Sequence, residues 1–202
     1  MPHDLQSRKR GAFRLEPNRE GSVTPAERQR AAAFLDETRE KLLRATRNLS
    51  PAQLQYKPAP DRWSVAECLE HVTTVETAVL GNIQNAIKGE AGSPQTSMTD
   101  EALVQTVTNR STRAQAPERI VPTGRFPQDQ LLTEFEAARK RTSDFVRSTN
   151  VPLRQFAFPH GRFGQVDCYQ WLLLVAGHGD RHRQQVEEVI AGAGFPRAAS
   201  AR

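Results

Sequence analysis

Two histidines four residues apart, His178 and His182, are the side chains of this chain with the clearest capacity for chemistry. They lie in the segment HGDRH, inside an apolar stretch whose pattern predicts a helix. Residues four apart on a helix project from the same face, with Cβ atoms about 5–6 Å apart. Two ring nitrogens at that spacing can reach one metal ion, each at about 2.0–2.1 Å. The pair therefore predicts a metal site on this helix.

The position of the pair on its helix bears on whether it binds a metal. Both histidines fall in the middle of the face that carries Trp171, Val175 and Val189, so they are predicted to point into the core. A buried imidazole without a partner costs about 1–3 kcal/mol, and a metal ion would use its lone pair. The alternative is a pair of core histidines bonded to backbone or side-chain groups. The central position of the pair favours the metal.

Two further histidines are candidates by position. His71 lies on a separate predicted helix, at the edge of an apolar arc that includes Val72 and Val75. An edge position suits a residue that lines a groove between helices, and equally an ordinary half-exposed histidine. His160 precedes the last helix, and we expect it in a loop, either near the mouth of a pocket or simply exposed.

These side chains must be positioned by helices, because the sequence carries little strand signal. Capping boxes at Thr24–Glu27 and Ser64–Glu67 predict two helix starts. The four predicted helices extend from Thr24 to near Ser50, from Ser64 to near Gly89, from about Gln128 to Ser148, and from a cap at Asp167 to about Ala191. This pattern predicts an all-α bundle of four helices.

The connection between the second and third predicted helices is the long one. Residues 90–126 are punctuated by prolines and include a possible short helix from Thr99 to Val107. A connection of this length is more typical of a functional loop or lid than of a linker. The beginning of this loop and residues 151–166 could also hold short extended pieces.

Composition sets the domain organisation and excludes several classes of function. Of the net charge of +5, residues 1–22 hold five basic and three acidic side chains, and residues 193–202 add two arginines. We expect a disordered basic tail (1–22), one folded domain (23–192) and a flexible C-terminal tail (193–202). Because the excess charge lies mostly in the tails, nucleic-acid binding is not expected.

The absence of long apolar segments bears on location. No run approaches the roughly 18 apolar residues of a membrane span, and the first residues lack the apolar stretch of a secretory signal. Two cysteines, Cys68 and Cys168, make no disulfide framework and are interpreted as small buried apolar residues. We therefore expect a cytoplasmic protein with no membrane partner.

Three segments together resemble the DinB/YfiT-like family of four-helix metalloenzymes: DRWSVAECLEHV, FPHGRFGQV and WLLLVAGHGDRHRQQV. The segments NLSPAQLQYKP and APERIVPTG extend the resemblance over roughly residues 24–192. It implies an up-down four-helix bundle with a long crossover between the second and third helices, and one metal ion held by His71, His178 and His182. It also implies a small-molecule substrate and a homodimer.

A site with three protein nitrogens leaves at least one coordination position open, which is typical of catalytic metal sites. A bound water there would lose its proton near neutral pH, and a bound thiol would ionise. We therefore expect a metal-dependent hydrolase or a transferase that uses a low-molecular-weight thiol. Zinc or nickel is the first expectation for the metal, and iron also suits imidazole ligands. The alternative is a non-catalytic bundle that binds a metal or a ligand.

Residues one helical turn from the histidines could take part. Glu67 precedes His71 and could be a general base or a fourth ligand, although its capping box explains it without chemistry. Gln185 follows His182 and could orient a ligand as a supporting residue, or be an ordinary glutamine.

The last predicted helix carries two other unusual pairs beside the histidines. Arg181 and Arg183 could bind an acidic substrate, or be ordinary helix-surface arginines. Gly177 and Gly179 indicate either that a substrate or another helix approaches closely, or that the bundle tolerates them.

Overall fold

Six helices and one hairpin form the part of the chain that the computed structural model describes, residues 22–111 and 115–197. The helices are α1 (Pro25–Thr46), α2 (Pro51–Gln55), α3 (Val65–Ala86), α4 (Asp100–Thr108), α5 (Leu131–Ser148) and α6 (Cys168–Ala191). Strands β1 (Ala157–His160) and β2 (Gly164–Asp167) pair antiparallel just before α6. Short 3-10 turns occur at Glu118–Ile120, Gln128–Gln130 and Leu153–Gln155. The protein is therefore mostly helical, as the sequence predicts.

The helix starts follow from the caps that the sequence contains. The hydroxyls of Thr24 and Ser64 each accept a hydrogen bond from the backbone amide three residues on, and both capping boxes are complete. Asp167 caps α6 by accepting from the amide of Gln170 at 2.7 Å. Helix α1 ends at Thr46, a few residues before the predicted end near Ser50, and Ser50 then starts the short helix α2, which the sequence analysis did not predict, with its own capping box. These caps satisfy amides that the first helical turn leaves without a partner.

The four long helices pack so that α1 and α3 each contact both α5 and α6, while α4 lies on α6. The start of α1 lies beside the end of α5, where Arg28 Nη1 donates to the carbonyl of Val146 at 2.7 Å. It also lies beside the start of α6, where the Tyr169 hydroxyl donates to the carbonyl of Glu27 at 2.9 Å. Within the described residues, no helix is long and apolar enough to cross a membrane.

A polar layer crosses the bundle between two apolar clusters. One cluster includes Leu35 and Ile83, and the other includes Leu42 and Phe135. Between them, the guanidinium of Arg139 is fully buried, with its Nε 2.8 Å from a carboxylate oxygen of Glu76. Arg139 also donates to the Leu35 carbonyl and to the hydroxyl of Thr38. A buried charge is tolerated only with such partners, so this layer connects α1, α3 and α5.

The same layer continues onto α6 at the histidines. On α6 the first apolar cluster ends at Ala176 and the second resumes at Val186, so His178 and His182 fall between them. The bundle therefore has a polar section at one level on all four long helices. This section positions the candidate site.

The packed region extends beyond residue 192, although the sequence analysis expects a flexible tail from residue 193. Phe195 is buried and meets the ring of Tyr56 edge-on, with ring centroids 5.6 Å apart. The Pro196 carbonyl accepts from Gln53 Nε2 at 2.8 Å. Helix α2 thus provides a surface for these residues. The predicted disordered segment 1–22, apart from Ser22, and residues 198–202 lie outside the described residues.

Candidate metal centre and its cavity

Helices α3 and α6 bring three histidines to one point. The Nε2 atom of His178 lies 3.1 Å from that of His71 and 3.1 Å from that of His182. His71 and His182 are buried and His178 is half-buried. Among the described residues, these three form the group of side chains that could hold a metal ion. We call them the histidine cluster.

The outer nitrogens of two rings determine where their protons lie. His71 Nδ1 donates to the backbone carbonyl of Ile120 at 2.8 Å. His182 Nδ1 donates to Oε1 of Gln185 at 3.0 Å, an oxygen that also accepts from Arg110. In the neutral rings, both Nε2 atoms therefore carry lone pairs directed at His178. A single proton on His178 Nε2 can make a well-directed hydrogen bond to only one of them.

The converging lone pairs fit a shared cation. Ligand nitrogens about 2.05 Å from one metal ion lie about 3.3 Å apart at tetrahedral angles and about 2.9 Å apart at right angles. The observed separations of 3.1 Å fall between these values. Three imidazole nitrogens, two with proton positions fixed from outside, are a donor set that suits zinc, nickel or iron.

Burial keeps the cluster in the form that binds metals. It lowers the pKa of His71, and it lowers the pKa values of His178 and His182 well below the ordinary value, with repulsion between the neighbouring rings acting in the same direction. A histidine binds a metal through a neutral ring. The three rings are therefore neutral at neutral pH and available as ligands.

Trp63 covers the cluster from the turn before α3. Its ring centroid lies 4.7 Å from that of His71 and 5.9 Å from that of His182, nearly parallel to the latter. Trp63 directly precedes Ser64, the residue that caps α3. The structure adds that the indole also contacts two site rings, which limits the rotations that they can make.

A buried carboxylate holds the loop that orients His71. Glu70 accepts hydrogen bonds from the amides of Thr123 and Gly124, at 2.7 and 2.9 Å, and from Arg125 Nε at 3.0 Å. Burial raises the pKa of Glu70, but these donors outweigh that effect and lower it below its ordinary value. The segment that Glu70 fixes also carries the Ile120 carbonyl, the acceptor for His71. Glu70 is thus a positioning residue for this ligand.

The two supporting residues proposed from sequence lie in different surroundings. Glu67 accepts from the Ser64 amide at 2.7 Å and from Lys57 Nζ at 2.9 Å, and it is not among the described residues that line the cavity. Its contacts are those of a helix cap, the non-catalytic alternative considered for it. Gln185 lies against the outer nitrogen of His182, a position suited to orienting that ring.

The histidine cluster lies on the wall of a cavity of about 890 Å³. Volumes of this order are typical of small-molecule sites. The cavity is also lined by His160, which the structure places in β1 rather than in a loop. His160 Nδ1 accepts from the amides of Arg162 and Phe163, at 3.0 and 3.2 Å. The proton of its neutral ring therefore lies on Nε2.

The glycines beside His178 make room for protein atoms. A Cβ atom on Gly177 would lie 2.5 Å from Val107 Cγ1, and one on Gly179 would lie 3.0 Å from Arg139 Nη2. Of the explanations considered from sequence, close approach of another helix is the one that the contacts support at Gly177, where α4 packs on α6. At Gly179 the space accommodates the buried guanidinium.

Both cysteines are buried, and burial raises the pKa of each thiol to about 12. Neither belongs to the group that could hold a metal ion in the described part of the chain. Their surroundings match the sequence interpretation of Cys68 and Cys168 as small apolar residues.

Sequence reasoning missed Glu70 and Arg139. Glu70 directly precedes a proposed ligand, but it falls on the side of the predicted helix opposite the apolar arc, so the sequence pattern gave no sign of its burial. Arg139 lies within the apolar stripe of α5, four residues after Phe135, where a charged side chain requires a buried partner. The partners themselves come from distant segments, and no local pattern identifies them.

Comparisons with known proteins agree with the fold. The sequence profile of the DinB superfamily matches residues 35–186. The uncharacterized protein YuaE of Bacillus subtilis (strain 168) is 22% identical over 158 residues, which cover 78% of this chain and 95% of YuaE.

A solved structure is also similar. YfiT from Bacillus subtilis, described as a probable metal-dependent hydrolase with an unusual four-helix bundle topology, matches with a TM-score of 0.59 and 15% identity over 90% of this chain and 95% of YfiT. At this identity the likeness shows the four-helix bundle fold alone. Because the profile match spans most of the sequence, the chain belongs to the DinB superfamily.

Proposed function

We propose that this protein is a metal-dependent enzyme, either a hydrolase or a transferase that uses a low-molecular-weight thiol. The observation that carries the proposal is the convergence of three imidazole nitrogens on the wall of a large cavity. The description of YfiT as a probable metal-dependent hydrolase supports the hydrolase form for a protein of the same fold. The alternative is a non-catalytic bundle that binds a metal or a ligand. A metal with a structural role alone would not require a cavity of this size beside the cluster.

The residues of the site would have two roles, to hold the metal ion and to orient its ligands. His71, His178 and His182 would hold a divalent ion, with zinc or nickel as the first expectation and iron also suitable. When bound, such an ion supplies Lewis acidity, which lowers the pKa of a coordinated water or thiol toward neutral pH. The Ile120 carbonyl and Gln185 would keep the outer nitrogens of two rings protonated, so that the inner nitrogens stay available.

His160, which lines the same cavity outside the histidine cluster, would also act on the substrate. Its Nδ1 is occupied by two backbone amides, so the proton on Nε2 can be donated but Nδ1 cannot accept another. A neutral imidazole in this tautomer stabilises negative charge that develops on a substrate oxygen. We infer that its contribution is hydrogen-bond donation and that it is not a general base.

Metal content tests the proposal directly. Protein purified without a histidine tag should carry a divalent metal in near-equimolar amount by elemental analysis. His178→Ala should lose most of that metal, because its Nε2 contacts both partners. His160→Ala is a matched control for metal content, since it removes a cavity histidine from outside the cluster. Retention of the metal in both His178→Ala and His182→Ala would refute the proposed centre.

Activity separates the two forms of the enzyme. A hydrolase would cleave activated esters or amides without a thiol, and a transferase would consume an electrophile only when a thiol is added. Loading the metal-free protein with zinc, nickel or iron before each assay identifies the metal that supports the reaction. A protein that holds the metal but is inactive in every condition would favour the non-catalytic alternative.

We also propose the chain path that creates the site. The contacts of α1 with the end of α5 and the start of α6 indicate that α1 and α6 run in one direction and α5 in the other. The pairing of His71 near the start of α3 with His178 and His182 in the later part of α6 indicates that α3 runs opposite to α6. A strict up-down order would make α3 and α5 antiparallel, whereas these contacts support parallel helices joined by a crossover through α4. The predicted homodimer remains a prediction.

A further inference from the structure

The charged side chains around the cavity are unequal in sign. Among the described residues that line it, five are arginines and one is an aspartate: Arg62, Arg110, Arg119, Arg162 and Arg181, with Asp61. The carboxylate of Glu188 lies 2.7 Å from Arg110 Nη2 and 4.0 Å from Arg62, so it compensates charge at that end. Arg119, Arg162 and Arg181 belong to the same lining, so arginines outnumber carboxylates among the described residues around the cavity.

Of the five arginines that line the cavity, Arg181 is the most enclosed by the protein. Its side chain belongs to α6, between the two histidines of the HGDRH segment, and the residue is 8% exposed. It donates to the backbone carbonyl of Asn109, which anchors the guanidinium beside the histidine cluster. A guanidinium is planar and carries five N–H donors, a geometry that matches carboxylate and phosphate groups.

Arg183, on the same helix, has different surroundings from Arg181. It lies 2.7 Å from Asp180 and 2.6 Å from Glu187, and it is not among the residues that line the cavity. Of the two arginines that the sequence offered for an acidic substrate, Arg181 therefore faces the site and Arg183 has carboxylate partners outside it. This pair provides a matched comparison within one helical turn.

Another part of the cavity lining is apolar. It is formed by Val75 and Val79 of α3, Val107 of α4, and Trp171 and Leu174 of α6. A lining that combines apolar side chains with guanidinium groups suits a molecule with one apolar part and one anionic part. In such a partly buried place, charge-assisted hydrogen bonds from arginine are stronger than in water.

We propose that the cavity binds a small organic anion, whose carboxylate or phosphate group contacts Arg181 with Arg119 and Arg162 at the rim, and whose apolar part lies against Val79 and Leu174. Binding of the anion does not depend on the proposed function. Only its role as a substrate, with its reactive bond beside the histidine cluster, rests on that function. Excess positive charge at the mouth would also attract such a substrate and increase its rate of entry.

Binding of defined probes tests this inference. The probes are 3-phenylpropionate, its neutral amide, and phenyl phosphate, measured by calorimetry with the full chain at low ionic strength. The wild-type protein should bind at least one anion more tightly than the amide, and the affinity should fall as salt is added. A tighter complex with phenyl phosphate would assign a phosphate, and a tighter complex with phenylpropionate would assign a carboxylate.

Variants locate the binding. Arg181→Gln should weaken the preferred anion by about tenfold or more, as expected for a partly buried charged hydrogen bond. Arg162→Gln, at an exposed rim position of the hairpin, should weaken it by about two- to fivefold. Arg183→Gln should bind as the wild type does. Circular dichroism and metal content establish that each variant is folded.

The failures of the two proposals are distinguishable. His178→Ala should lose metal yet keep its preference for the anion over the amide, while Arg181→Gln should keep metal and lose that preference. An Arg181→Gln variant that is folded and binds the anion with unchanged affinity would overturn the inference. So would a wild-type protein that binds the amide as tightly as both anions, whatever its metal content.

Discussion

The substitution Glu70→Gln tests whether a buried carboxylate controls a histidine that it does not touch. Glu70 is 4% exposed at its side chain and accepts from three donors within 3.0 Å. Glutamine keeps the size and shape of the side chain but replaces one oxygen with an NH2 group. At least one loop amide then faces a donor and loses its acceptor. Removing one charge-assisted hydrogen bond costs about 1.5–3 kcal/mol, so we expect the free energy of unfolding to fall by about 2 kcal/mol.

The effect on metal binding follows from the loop. The segment held by Glu70 carries the carbonyl of Ile120, which fixes the proton and the orientation of the His71 ring. Removing the partner of a metal-binding histidine costs about 10–100-fold in affinity. Glu70 acts one step further away, so we expect zinc affinity to fall by about tenfold, the lower end of that range.

Two measurements and one control check this prediction. Urea denaturation of the metal-free protein gives the free energy of unfolding, and competition with a zinc-binding dye gives the affinity. Glu67→Gln is the matched control, on the same helix and one turn from His71. Glutamine still completes a capping box at this position, so only the bridge to Lys57 is lost. Zinc affinities that are equal in the two variants, despite a less stable Glu70→Gln protein, would refute the positioning role.

Two other predictions concern packing and pH. Gly177→Ala should lower the free energy of unfolding by about 1–3 kcal/mol, because the new Cβ overpacks against Val107. Gly81→Ala should raise it by up to about 1 kcal/mol, because a Cβ there would meet nothing within 4 Å. Thermal denaturation compares the two variants, and equal effects on stability would contradict the close contact at Gly177. Because burial lowers the pKa values of the histidine cluster, the unfolded chain binds more protons than the folded one below about pH 6.5. The metal-free protein should therefore lose stability as the pH falls from neutral to about 5.5, and a flat urea midpoint over that range would show that the rings are not buried neutral.

The extent of the long helices was readable from the sequence because its signals are local. Capping boxes join residues three apart, and apolar stripes repeat along one helix, so Thr24, Ser64 and Asp167 mark helix starts that the structure has. The spacing of His178 and His182 likewise required only the helical period. The short helix α2 has a local signal as well, and the capping box at Ser50 could have indicated it.

The surroundings of the candidate site depended on groups that meet only after folding. His71 lay at the edge of an apolar arc, where sequence left its exposure open, and packing of α3 on α6 placed its Nε2 atom 3.1 Å from that of His178. Glu67 and Glu70 are both one turn or less from His71. In the structure, however, Glu67 accepts a hydrogen bond within the helix cap, and Glu70 accepts one from a distant loop.

What the sequence alone determined about this protein is the set of helices, their buried faces and the side chains able to bind a metal, because each follows from interactions within a few residues. The tertiary structure decided which of these side chains meet, that Arg181 and not Arg183 lines the cavity, and which carboxylate supports the loop. Those choices depend on contacts between residues far apart in the chain. Such contacts are set by the packing of whole helices, and no local spacing encodes them.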